Sequence, residues 1–164
     1  MTGHRQFDGV AQTRAAATRI VAALRDQHGG LPLEVWSSLA EGADRVVIEA
    51  VRACDPAARL VAVLPLQSDD YRTDFVDPAS AAEFDRLLAA ADDTNFTGPD
   101  ASGTRQSAYA RAGLAVVDAV DVLVAVWDGE PARGPGGTAE IVAAARAADR
   151  EVVVIPVTRT AVAT

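Results

Sequence analysis

The chain of 164 residues contains no lysine; all 15 of its basic residues are arginine. That excludes a P-loop, whose lysine must reach the outer phosphates, and any chemistry built on a lysine Schiff base or lysine base. Cysteine is nearly absent as well. Cys54 alone allows no internal disulfide, and His4 and His28 are the only histidines, so no Cys/His metal set exists. Cys54 reads as a small core residue on a helix. No apolar run approaches the ~20 residues that cross a bilayer, and the opening MTGHRQFDG lacks an apolar signal core, so no membrane partner is expected and a cytoplasmic location follows by default. Basic clusters are lacking too. With 23 acidic residues, a formal charge of −8 and scattered arginines, most of the surface repels a duplex, which argues against a nucleic-acid partner. Nothing in the sequence asks for a cofactor or a metal.

What is present is a large apolar fraction, 49%, in a chain of single-domain size, so residues 1–164 are expected to form one domain. Helical and strand signals alternate. Apolar residues at Val10, Ala17, Ile20, Val21 and Leu24 suit a helix over 9–28 that stops at Gly29–Gly30. A strand is predicted at 33–36, a helix from SSLAEGAD through Arg52, and a buried strand at 59–64 stopped by Pro65. A long polar loop then leads to a helix over 79–91. Residues 92–106 are loop-like, with one short strand near Asn95 and Phe96. A helix over 106–117, a strand over 121–127, a helix over 137–148 and a strand over 151–157 complete the series. Buried strands separated by helices imply an α/β fold, a Rossmann-like parallel sheet flanked by helices. Ligands in such sheets bind at the carboxyl ends of the strands, beside the point where strand order reverses. The residues after the strands are therefore expected to converge: Ser37, Ser38, Glu41, Gly42 and Asp44; then Pro65, Asp70 and Tyr71; then Asp128 through Thr138.

The segment WDGEPARGPGGTAE, residues 127–140, is the most unusual of these. Gly136, Gly137 and Thr138 stand where a loop enters a helix, so unpaired N–H groups and the positive end of the helix dipole face the cleft, an arrangement that accepts an anion such as phosphate. Arg133 supplies a fixed charge in place of the missing lysine. The alternative is a tight turn with Thr138 as a helix cap.

Several stretches together resemble the SLOG superfamily, the Rossmann-like group that includes Lonely Guy phosphoribohydrolases and DNA-processing A proteins. They are TGHR (2–5), SLAEGADR (38–45), VLP followed by Tyr71 (63–71), AYARAGLAVVDAVDVLVAVWDG (108–129) and GPGGTAEIV (134–142). The resemblance implies a nucleotide or nucleotide-derived ligand in the same cleft. It also implies ligand contacts from His4 and Arg5. The Lonely Guy pattern Pro-Gly-Gly-x-Gly-Thr-x-x-Glu is shortened here to Pro135-Gly136-Gly137-Thr138-Ala139-Glu140. One residue is about 100° on a helix, so the phosphate loop carries over while Glu140 is displaced from the catalytic position. Relatives have a strand before the TGHR-like segment. The expectation is that the sheet lacks its first strand or that the chain start has been set late, with a short apolar β-rich segment encoded upstream.

Each candidate also has a plainer reading. His4 and Arg5 contact ligand or belong to a polar tail. Ser38 and Glu41 contact ligand or cap the helix that starts at Gly42. Asp128 accepts ribose hydroxyls or forms a turn with Gly129. Tyr71 is a candidate for stacking on a base, whereas Trp127 continues an apolar strand and belongs to the core. The alanines of the last helix, including Ala143, Ala145, Ala147 and Ala148, permit close helix packing, and relatives commonly dimerise, so a homodimer is a candidate assembly. Three readings compete: binding of a nucleotide-type ligand, as a sensor module; N-glycosidic hydrolysis of such a ligand with Asp128 or Glu140 as the catalytic carboxylate; and a purely structural role without a ligand, which a Gly-rich loop folded back with its N–H groups satisfied internally would favour.

Overall fold

A computed structural model describes residues 1–132 and 134–160. Among the described residues there are six helices and six strands, alternating except where α4 follows α3: β1 (Thr2–Gly3), α1 (Val10–Gln27), β2 (Glu34–Ser37), α2 (Ala43–Cys54), β3 (Arg59–Leu64), α3 (Ser68–Arg72), α4 (Pro78–Ala89), β4 (Asp93–Phe96), α5 (Arg105–Ala119), β5 (Val122–Trp127), α6 (Thr138–Ala147) and β6 (Glu151–Pro156). All strand pairs are parallel, as expected of an α/β, Rossmann-like fold. The predicted elements recur within a few residues of their expected limits. The exceptions are α3, which lies inside the segment expected to be a loop, and β1, which forms where no strand was predicted.

The strands form two three-stranded sheets, β1-β5-β6 and β2-β3-β4. The join between them is thin. The Met1 amino group donates to the Trp36 carbonyl at 2.8 Å, and β1 itself pairs with β5 only at Thr2↔Ala125 and Gly3↔Val126. β1 is thus two residues long, and no strand pairing joins the two sheets among the described residues.

Both faces of the sheets are covered, which is why β3 and β5 are continuous apolar runs instead of alternating ones. Along β5 the side chains still alternate between two cores. Val124 and Val126 pack in the core that holds α1 and α2, and Leu123 and Ala125 in the core that holds α5 and α6. On α2 the buried positions Ala43, Val47 and Val51 recur every fourth residue and form the stripe that faces the sheet. Local chemistry fixes the helix starts. Asp77 caps α4 by accepting the Ala79 amide at 3.0 Å ahead of Pro78, and Thr104 caps α5 by accepting the Ser107 amide at 3.1 Å. Of the alanines considered for helix packing, Ala145 is buried in the chain's own core, whereas Ala143, Ala147 and Ala148 are exposed. Cys54 is half-buried at the end of α2, its thiol 3.4 Å from the Thr18 carbonyl. Among the described residues no helix is long and apolar enough to cross a membrane.

Candidate functional site

Strand order reverses between β1 and β5, and a cleft of about 520 Å³ opens there at the carboxyl ends of the strands. Gly3 and Arg5 line it from the end of β1, Ser38 and Asp44 from the β2–α2 connection, and Gly136 to Thr138 from the start of α6. A second hollow of about 670 Å³ continues it, sharing Arg5, Asp74 and Arg159 and adding His4 and Glu41.

The TGHR segment is anchored by backbone bonds. The His4 amide donates to the Val126 carbonyl at 3.1 Å, and the Ala43 amide donates to the His4 carbonyl at 3.1 Å. Short as it is, β1 therefore aims His4 and Arg5 as a longer strand would. Gly42 makes this possible: its φ is +74°, and a Cβ there would collide with the Arg5 carbonyl. Gly42, with no side-chain cap, is the N-cap of α2, and Ser38 lines the cleft without capping the helix. Glu41 is half-buried and accepts the Ser80 hydroxyl, which is also 3.0 Å from an Arg45 nitrogen.

His4 is buried and stands at the centre of a polar network. Its Nε2 is 2.9 Å from the Asp128 carboxylate, and Nδ1 is 3.4 Å from the Thr138 hydroxyl. Arg159 pairs with the other Asp128 oxygen at 3.0 Å. Burial pushes the Asp128 carboxyl up, but hydrogen bonds from His4 and the Glu130 amide, together with the His4 and Arg159 charges, outweigh it and hold the pKa down at about 2. Asp128 also accepts the Glu130 amide at 3.1 Å across Gly129, which is the turn that one of its two readings foresaw. The side chain of Asp128 lines neither part of the cleft.

The loop before α6 is partly closed on itself. The Gly136 amide donates to the Glu140 carboxylate at 2.8 Å, and the Gly137 amide donates to the Gly134 carbonyl at 3.2 Å. Gly136 has a φ of +76°, and a Cβ there would come within 2.7 Å of the Ala110 amide nitrogen, so this glycine seats the loop against α5. At Gly137 a Cβ would lie 2.9 Å from that of Ala132. Thr138 begins α6 behind the N-cap Gly137 and is buried. Glu140 is exposed and does not line the cleft. Arg133 lies outside the described residues.

Two further groups shape the cleft. Arg5 is exposed, and among the described residues no carboxylate lies within ion-pair distance of it; its guanidinium stands 5.8 Å from the Tyr109 ring centre and 6.0 Å from that of Phe75. Tyr71 has an exposure of only 1%, and its ring is packed edge-on against Phe75 and Phe84, so it forms the cleft's floor and offers no open stacking face. Burial raises the pKa of its hydroxyl. Trp127 is half-buried, with its indole nitrogen donating to the Glu130 carbonyl at 3.0 Å.

Sequence reasoning missed Arg159, Asp74 and Tyr109; Asp44, expected among the converging residues, does line the cleft. Asp74 accepts the Tyr109 hydroxyl and pairs with Arg105 at 2.7 Å, tying the segment after α3 to α5. Asp44 is buried, accepts the Ser37 hydroxyl at 2.6 Å, and has its pKa raised by burial against the pull of that hydrogen bond. Among the described residues no group of three His, Cys, Asp or Glu side chains is arranged to hold a metal ion. No protein-family model matches the chain, and no curated protein is significantly similar to it.

Proposed function

We propose that the chain binds an anionic small molecule of nucleotide type in the cleft, as a SLOG-like binding or sensor module, and does not turn it over. The observation that carries this reading is Arg5: an exposed guanidinium at the strand ends, without a carboxylate partner among the described residues, in a cleft whose wall includes the first turn of α6. An anion between them gains charge-assisted hydrogen bonds and the favourable end of the helix dipole. The amides of Gly136 and Gly137 already have acceptors within the loop, so the proposed anion position is the turn beginning at Thr138. The half-polar remainder of the cleft, with Ser38 and Asp44, suits ribose hydroxyls.

The hydrolytic alternative asks for a carboxylate aimed at a reacting carbon or a water. Glu140 is turned to its own loop, and Asp128 is held by His4 and Arg159, away from the cleft lining. These positions favour binding over cleavage. Calorimetric titration with AMP, NAD and ADP-ribose tests the reading. Saturable binding is expected, and Arg5→Ala should weaken it about tenfold to a hundredfold, the equivalent of about 1.5–3 kcal/mol for a hydrogen bond to a charged group, with little change in Tm. Absence of binding to any of the three, or affinity indifferent to Arg5→Ala, overturns it. Release of free base, followed by chromatography and lost in Glu140→Gln or Asp128→Asn, would establish the enzyme instead.

A further inference from the structure

His4 and Thr138 are both buried, each with an exposure of 8%, yet Thr138 lines the first part of the cleft and His4 the second. The His4 Nε2 lies 2.9 Å from an oxygen of Asp128, closer than the Asp128 amide at 3.2 Å or the Arg159 Nη2 at 3.3 Å, and that Nη2 also reaches the same oxygen at 3.3 Å. A lone pair on Nε2 would be turned against an ionised carboxylate, whereas an N–H there makes a charge-assisted bond to it. The neutral ring therefore carries its proton on Nε2, and Nδ1 is left as an acceptor. Its partner is the Thr138 hydroxyl at 3.4 Å. A hydroxyl has one hydrogen. While that hydrogen points at Nδ1, Thr138 shows the cleft only lone pairs, which repel an anion.

We propose, on the reading that an anion lies at the turn beginning at Thr138, that His4 is a positioning residue: it sets which way the Thr138 hydroxyl faces, so that the cleft takes up a proton together with its anion. When a solvent proton binds Nδ1, the ring donates from both nitrogens. Nε2–H stays on Asp128, and Nδ1–H is given to the Thr138 oxygen. The hydroxyl hydrogen is thereby released from His4 and turns to the cleft, where it donates to the anion. The 3.4 Å contact is long for a hydrogen bond, so little is lost in the turn. Asp128, its pKa held down at about 2, stays ionised throughout the range in which a histidine ordinarily titrates. Other charged groups that face the hollow with His4 are Arg5 and Arg159 and the carboxylates of Glu41, Asp74 and Asp77. α2, which binds the His4 carbonyl, adds Asp44, turned to Ser37. Among the described residues none of these groups shares a hydrogen bond with Thr138, so a proton change reaches that hydroxyl through His4.

The test uses inorganic sulfate, whose own charge is constant across the histidine range, and the full chain, with binding followed by NMR at the Thr138 amide. The sulfate dissociation constant is expected to fall about tenfold from pH ~8 to pH ~5.5, the worth of one hydrogen bond to a charged group. By reciprocity, saturating sulfate should raise the titration midpoint of the His4 ring by about one pH unit. Thr138→Ser should keep this pH dependence, Thr138→Val should reduce it to about twofold, the effect of the ring charge alone, and His4→Gln should abolish it. A parent chain that binds sulfate equally at both pH values overturns the proposal and leaves the binding reading standing, as does an undiminished pH dependence in Thr138→Val. Nitrogen chemical shifts that put the proton of the neutral His4 ring on Nδ1 overturn it without any ligand. Absence of a sulfate effect on the Thr138 amide at either pH overturns it too, and only if AMP, NAD and ADP-ribose are inert as well does the binding reading fall with it.

Discussion

The two ends of β1 face opposite kinds of space. At its carboxyl end the neighbouring chains diverge into loops, and the opening is lined by Arg5, Asp44, Asp74 and Arg159. At its amino end the neighbouring strands run on, and the opening is lined mostly by valines and leucines, with His28, Glu34 and Asp121 beside them. The difference shows what a strand end does in a parallel sheet. Where backbones splay apart, their polar groups and helix starts face the opening; where they stay parallel, the opening is walled mainly by side chains of the strands and of α2.

The largest expected effect comes from a change that destroys one end and spares the other. Gly42→Ala introduces a Cβ against the Arg5 carbonyl at a φ of +74°. It should cost about 2–4 kcal/mol in urea unfolding, from backbone strain plus overpacking, and abolish the proposed nucleotide binding, while amide exchange at Val122 to Val124 stays as in the parent chain. Loss of protection at those amides as well would mean that the two openings do not respond independently.

A smaller effect follows from Asp128. Its folded pKa of about 2 lies below the ordinary value of about 3.9 for an unfolded aspartate. Its ionised form therefore stabilises the fold above pH ~4, and that contribution is lost as pH falls through about 2. Asp128→Asn should lower Tm at neutral pH and flatten the fall of Tm between pH 4 and pH 2. An unaltered acid profile would show that the His4–Asp128–Arg159 network does not hold the carboxylate ionised.

The smallest effect concerns Glu140, whose carboxylate already occupies the Gly136 amide. Glu140→Gln keeps an acceptor and removes the charge, so anion affinity should rise about threefold, in line with ~0.5 kcal/mol for a charge near a helix start, with Tm unchanged. A decrease in affinity in the same titration would instead point to a direct favourable role for the carboxylate.

The fold was legible wherever burial was strong enough to leave a pattern. The runs 59–64, 121–127 and 151–157 are β-branched and continuous, and the helices between them carry spaced apolar residues, so both types could be read along the chain. α3 was not legible because five residues, SDDYR, are too few to display a period. β1 was not legible because two residues have no pattern at all, and only pairing with β5 makes them a strand. In the site, Arg159 had a usable signal. Residues after each strand converge, and the same rule taken to β6 points to Thr158 and Arg159. Asp74 and Tyr109 had none: they meet through a hydrogen bond across 35 positions of sequence. The sequence points to Gly136 and Gly137 as donors of free amides to an anion, whereas Gly136 provides clearance for α5, a demand that only the packed structure reveals.

The placement of the two tryptophans gives the molecule an optical readout of its own. Trp36 lines the apolar groove, and Trp127 ends β5 beside Asp128, with its indole bound to the turn that leads into the α6 loop. Both are half-buried and therefore sensitive to what lies next to them. With Trp127→Phe the remaining emission would report on the groove beside Trp36 alone, and with Trp36→Phe on the turn beside the polar cleft alone, so that a change in either space can be followed in one unlabelled chain by the colour of its fluorescence.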